Sequence, residues 1–237
     1  MEYVWRNLQS LTQWLQRLLY LGIAVDLLSL FDDGYQRGVF RRLIAQSVEA
    51  TKAVQTANHT GMSANDFISL PMATLALATI ILAAVWIYRA ATNLRALDVQ
   101  GLTIGPGWAV GWYFIPIANF WKPYQAMREI WQASSRTRQW QDLATPSLLP
   151  AWWGLWLLGF FVPLVITSMG IHAGAEENWL HTNTAQMVGT LIDIPQNLLF
   201  SLMVGRIWQM QSVHVAPPSS PTLASGIVAS DTHGTSG

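Results

Sequence analysis

The sequence contains no cysteine, which excludes disulfides, thiolate nucleophiles and cysteine-ligated zinc or iron–sulfur centres. Charge is almost as scarce. Only 11% of the 237 residues are Asp, Glu, Lys or Arg, against roughly a quarter in soluble domains, too few to clothe an ordinary water-facing surface. The 13 basic and 13 acidic residues cancel, so no cationic excess exists to neutralise a phosphate backbone, and nucleic acid is not an expected partner. A GxSxG nucleophile elbow, a Walker loop and a dinucleotide fingerprint are also missing. No catalytic residue and no cofactor is expected, and the chain reads as a non-enzyme. What is plentiful is apolar surface: 51% of residues are hydrophobic, and 13 are tryptophan. That composition suits a bilayer.

Crossing about 30 Å of hydrocarbon takes roughly 20 apolar residues in a helix, so uncharged intervals of that length locate the spans. Phe67 to Tyr88 is uncharged and bracketed by Asp66 and Arg89. Leu143 to Ala175 is uncharged too, with an apolar centre from Trp152 to Met169 that holds Pro163. Two more intervals carry charge inside them: Leu15 to Phe31, with Arg17 and Asp26, and Ala185 to Gly205, with Asp193. The first of these reads as an uncleaved anchor, because no small-residue cleavage site follows it. The expected fold is all-α and polytopic, with four transmembrane helices.

Gly101 to Trp121 is uncharged but holds four glycines, Pro106, Pro116 and Asn119. It suits a broken or re-entrant helix centred on Trp108 to Phe120, with a fifth span as the alternative. Pro123 then opens a helix whose apolar face carries Tyr124, Met127 and Trp131, a pattern for lying in the interface. The spacing of Val39, Phe40, Leu43, Ile44, Val48 and Val54 predicts another amphipathic helix in the first long loop. Residues 1–211 read as a single membrane domain. From Ser212 onward the chain turns to Ser, Pro, Gly and Thr, which predicts a disordered tail.

Basic residues orient the spans. Four spans with an inside N-terminus place Arg6, Arg17, Arg89, Arg95, Lys122, Arg128, Arg136, Arg138 and Arg206 inside, and Arg37, Arg41, Arg42 and Lys52 outside. Five spans with an outside N-terminus divide the charges equally well. Both arrangements put the tail inside and the loop bearing Glu176 and Glu177 outside.

Gln186, Thr190, Asp193, Asn197 and Ser201 fall at steps of three and four, one polar stripe along the last span. An ionised Asp at mid-bilayer costs about 2.5 to 3.5 kcal/mol on insertion scales, so the stripe should face protein or water. Hydrogen-bonding to neighbouring helices is the plain reading; a proton or ion pathway using Asp193, with Asp26 as a second buried acid, is the competing one. Ala76, Thr79 and Ala83 form a small-residue packing face. Trp108, Trp112, Trp121 and Trp131, with the Trp152, Trp153 and Trp156 cluster, have the placing of headgroup-level anchors. His172, Glu176, Glu177 and His181 lack a tight ligand pattern, and no metal is expected there.

The run from Arg89 through Asn93 and Arg95 to Leu97, the stretch from Gly105 through Trp108, Trp112 and Pro116 to Asn119, and the stretch from Trp121 through Pro123, Tyr124 and Arg128 to Trp131 strongly resemble a bacterial family. It is similar to domain of unknown function 4328, across roughly Leu11 to Trp208. Lys122 and Tyr113 are mild departures, standing where Arg and Trp would be expected. The resemblance implies a small multi-pass protein of the bacterial cytoplasmic membrane and carries no activity to transfer. Membrane lipids are the expected partners of the motif, with another membrane protein or a second copy as the alternative.

Overall fold

The computed structural model describes residues 3–46, 64–135, 137, 139–170 and 175–213. Among these residues there are six α-helices and no strand: α1 Gln9–Gln46, α2 Ala64–Ala96, α3 Pro106–Gly111, α4 Lys122–Ser134, α5 Leu148–Gly170 and α6 Ala175–Val213. Four of them, α1, α2, α5 and α6, contain stretches long and apolar enough to cross a membrane. The chain is thus an all-α, multi-pass architecture with the expected four spans.

The helices overrun the hydrophobic intervals that mark them. α1 runs unbroken from Gln9 to Gln46, so Val39, Phe40, Leu43 and Ile44 continue the helix of the first span and form no separate amphipathic helix. Val48 and Val54 lie outside the described residues. The continuation has a simple cause: no proline interrupts residues 32–46, and Gly34 and Gly38 cost a helix only about 1 kcal/mol each. Pro71, Pro163 and Pro195 all lie inside helices, as membrane spans allow. Ser212 and Val213, expected in the tail, complete the last turn of α6; residues 214–237 lie outside the described set.

The core is lopsided. Leu8, Leu15 and Leu19 from the start of α1 meet Trp86, Ile87 and Leu94 from the end of α2, Leu149 and Trp152 from the start of α5, and Met203, Val204 and Ile207 from the end of α6. Helices that share these ends must alternate in direction, so the chain crosses four times and brings α3 and α4 to the end where α1 begins and α6 finishes. There Ala109 of α3 and Ala126, Met127, Ile130 and Ala133 of α4 close over the core. Away from that end, α5 and α6 pack through small residues. A Cβ on Gly170 would stand 2.9 Å from Asn178 Oδ1, and one on Gly189 would stand 3.4 Å from Pro163 Cγ.

Between α3 and α4 the backbone is broken as expected. α3 has six residues, and only the short 3-10 turns Trp112–Phe114 and Ala118–Phe120 follow it. No crossing can be made by so short a helix. The chain nevertheless dips alongside α5: the Phe120 ring lies 5.7 Å from that of Phe160 and 5.3 Å from that of Phe161. Those rings are roughly 18 Å along α5 from Leu148 at 1.5 Å per residue.

Candidate functional site

The motif that carries the family resemblance divides into an inward part and an outward part. Asn93 belongs to the inward part and is buried. Its Oδ1 accepts the Arg6 N–H at 2.9 Å, and its Nδ2 donates to the Arg6 carbonyl at 2.9 Å and to Gln211 Oε1 at 3.3 Å. Gln211 Nε2 in turn donates to the Ala90 carbonyl and to Ser134 Oγ. One amide therefore clamps the segment before α1 in both directions and ties it to α2, α4 and α6. Buried polar groups so fully partnered specify packing; Asn93 does not share an exposed face with the half-buried Arg89.

Arg95 also acts structurally. Its Nη2 donates to the Ile104 carbonyl at 2.8 Å, and its guanidinium lies 5.9 Å from the Tyr3 ring centre. The loop it holds leaves α2 through a Schellman turn: Val99 N–H reaches the Leu94 carbonyl, Asp98 N–H reaches that of Arg95, and Asp98 takes a positive φ of 55°. The loop is then pinned to α4 by Glu129, whose carboxylate accepts the N–H groups of Thr103 and Ile104 and the Thr103 hydroxyl. From the other side Trp140 Nε1 donates to the Gln100 carbonyl at 2.9 Å.

These fixings open a cleft of about 500 Å³ between the 101–105 loop, α3, one face of α4 and the Trp140 turn. α4 is amphipathic: Ala126, Met127, Ile130 and Ala133 face the core, while Lys122, Gln125, Arg128 and Glu129 line the cleft. Tyr124 and Trp131 are half-buried. On the opposite wall Trp108 and Trp112 stack with ring centres 4.6 Å apart, and Lys122 Nζ stands 5.5 Å from the Trp112 ring. Glu129 has its carboxylate engaged by the loop, whereas neither Lys122 nor Arg128 forms an ion pair among the described residues. Next to the cleft, the turn after α3 projects Phe114 and Ile117, 76% and 73% exposed. Burial pushes the Tyr113 phenol up, so it stays neutral.

The other motif residues sort by depth. Trp121 and Pro116 are exposed, and Pro123 is buried in the first turn of α4, where it was expected. Asn119 does not cap α4; its N–H closes the turn onto the Ile115 carbonyl at 2.8 Å, and its buried Oδ1 has no partner among the described residues. Trp152 and Trp153, expected as headgroup anchors, are buried. Trp152 stacks on Phe200, and Trp153 Nε1 donates to the Phe120 carbonyl at 3.2 Å. The rings at this end of α5 hold the dipping turn in place.

Along α6 the predicted stripe does not keep one environment. Gln186 is exposed, and Thr190 donates to the Gln186 carbonyl of its own helix at 3.0 Å. Further along, Asp193 lies beside the half-buried Asp26 of α1, near Asn197, but Asp193 itself is exposed on the outside of the bundle and is not the enclosed acid that the stripe predicts. Gly159 of α5 lies against this part of α6, where a Cβ would make ordinary contact with Asp193 Oδ1 at 3.6 Å. Ser201 is buried, its hydroxyl without a partner among the described residues and its carbonyl accepting Gln16 Nε2 at 3.1 Å. His172 lies outside the described residues, as do the side chains of Glu176 and Glu177.

Several polar residues at helix contacts were not singled out from sequence: Gln211, Ser134, Thr12, Asn183, Arg37 and Thr184. Arg37 Nη1 donates to Thr184 Oγ1 at 2.9 Å, and Asn183 Nδ2 to Asp33 Oδ1 at 3.4 Å. A signal for some of them existed. Asn183, Thr190 and Asn197 recur in seven-residue steps, with Gln211 two such steps further on, and Asp33 lies seven residues after Asp26, with Thr12 two such steps before it, the spacing of a seam between two helices.

Residues 49–209 match the profile of a family described as Domain of unknown function (DUF4328). No curated protein and no solved structure matches the chain.

Proposed function

We propose, from the premise that the chain belongs to the DUF4328 family, that this multi-pass membrane protein is a non-enzymatic module whose motif cleft docks the phosphate headgroup of an anionic lipid. The observation that supports the reading is the cleft's composition: two cations without ion-pair partners among the described residues, Lys122 and Arg128, opposite the stacked pair Trp108 and Trp112. The exposed Phe114 and Ile117 flank it, with the chemistry of side chains that enter acyl chains while Trp and Lys remain at headgroup level. The basic-residue count favours the cleft and the C-terminal tail on the cytoplasmic side of a bacterial inner membrane, where anionic lipid attracts cations at about 1 kcal/mol each. Two such cations correspond to about a 30-fold difference in lipid affinity. Native mass spectrometry of purified protein titrated with phosphatidylglycerol measures that difference. The double variant Lys122→Gln, Arg128→Gln should lose it, and equal retention by both proteins would refute the reading.

A second reading draws on Asp26, Asp193 and Asn197 at one α1–α6 contact. Two acids side by side on helices long and apolar enough to span a membrane, with no Lys or Arg among their described contacts, have the chemistry of a proton or cation relay. In vesicles, Asp193→Asn would abolish proton-coupled flux if Asp193 carries the proton. A helix-packing role predicts no flux and little change in unfolding temperature.

A further inference from the structure

The geometry points to a phosphorylated polyol as the headgroup: a phosphodiester that carries free hydroxyls, as in phosphatidylglycerol. This inference rests on the headgroup-docking reading and narrows it. A volume of about 500 Å³ falls in the range of pockets that enclose whole organic ligands, roughly 300 to 1,000 Å³. A bare phosphate held by Lys122 and Arg128 would leave most of it empty.

The rest of the lining identifies what else belongs there. Gln125 and Gln141 offer amides, each with donor and acceptor atoms; among the described residues the side-chain amide of Gln125 makes no hydrogen bond, and that of Gln141 uses only its Nε2, at 3.2 Å from the Gly101 carbonyl. Carboxylate chemistry is closed off, because Glu129 is engaged by the Thr103 and Ile104 N–H groups. Trp108 stacks on Trp112 and is 54% exposed, so an indole surface stays open. Amides meet hydroxyls and an open indole face meets C–H groups, which together suit a polyol. A headgroup amine would add a third positive charge beside Lys122 and Arg128, and this disfavours zwitterionic lipids.

The test compares two lipids of equal charge. Phosphatidylglycerol and phosphatidylethanol are both phosphodiesters with one negative charge, and only the first has headgroup hydroxyls. Full-length protein in detergent, titrated with each and with phosphatidylcholine and read by native mass spectrometry, should prefer phosphatidylglycerol over phosphatidylethanol by about tenfold, the scale of one or two neutral hydrogen bonds. Trp108→Ala and Gln125→Ala alter exposed side chains; each should erase that preference while both anionic lipids still outbind phosphatidylcholine. Equal binding of the two anionic lipids by the unaltered protein overturns the polyol inference and leaves headgroup docking standing. No advantage of either over phosphatidylcholine overturns docking itself. Displacement of bound phosphatidylglycerol by an equal concentration of soluble glycerol phosphate overturns the membrane lipid as the source of the headgroup.

Discussion

Trp86 and Leu77 lie on the same helix, roughly two and a half turns apart, and meet opposite surroundings. Trp86 is fully buried, with its Nε1 donating to Thr12 Oγ1 at 2.9 Å. Leu77 is more than half exposed, as are its neighbours Leu70, Ile80 and Ile81. The contrast runs through the whole bundle. Around Trp86 four helix ends, α3 and α4 bury apolar side chains and satisfy Asn93 and Gln211 with several hydrogen bonds. Beyond it the same helices turn Leu, Ile and Phe outward and meet through glycines and single polar pairs, such as Arg37 with Thr184. Where lipid is the solvent, hiding a leucine gains nothing, so packing falls to small residues and hydrogen bonds. Where water reaches the helix ends, the hydrophobic effect returns and a core forms.

This contrast sets an order of expected effects. Trp86→Ala should be the most damaging, removing a fully buried indole at a cost of about 3 to 5 kcal/mol; a large fall in the detergent unfolding midpoint would show it. Asn93→Leu should follow, because it leaves the Arg6 N–H and carbonyl without their partner, at about 1 to 3 kcal/mol per buried unsatisfied group. Hydrogen exchange at the Arg6 amide should speed up at the same time, which a general loss of packing near α4 alone would not single out. Thr184→Ala, in the lipid-surrounded half, should cost only about 0.6 kcal/mol, the mean for a hydrogen bond between spans. Leu77→Ala should change stability by no more than about 0.5 kcal/mol. A loss above 2 kcal/mol at Leu77 would mean that this face packs against protein and would erase the distinction between the halves.

The sites differed in how far they could be read from sequence. The four spans were legible because hydrocarbon imposes a length and a composition that local sequence must meet. Pro123 at the start of α4 was legible for a similar reason, since a fixed φ and a missing N–H suit a first helical turn. The lengths of α1 and α6 were not, because a helix stops where a breaker stops it and not where its apolar run ends. Asn93 looked like part of a surface motif beside Arg89, and Trp152 and Trp153 looked like interface anchors. Only contacts from chain segments far away in sequence turned them inward.

Local sequence is enough to make the chain helical and polytopic and to weaken its backbone between Gly105 and Trp121, since each follows from local propensity and the solvent a segment can tolerate; that this stretch adds no fifth crossing came from the fold. Long-range packing decided which tryptophans are core and which line the cleft, that Glu129 is engaged by the loop while Lys122 and Arg128 have no ion-pair partner among the described residues, and that Asp26 meets Asp193. Those outcomes depend on the register of one helix against another. Such a register is set by the sum of many weak contacts between residues as far apart as Arg6 and Asn93, or Gln16 and Ser201.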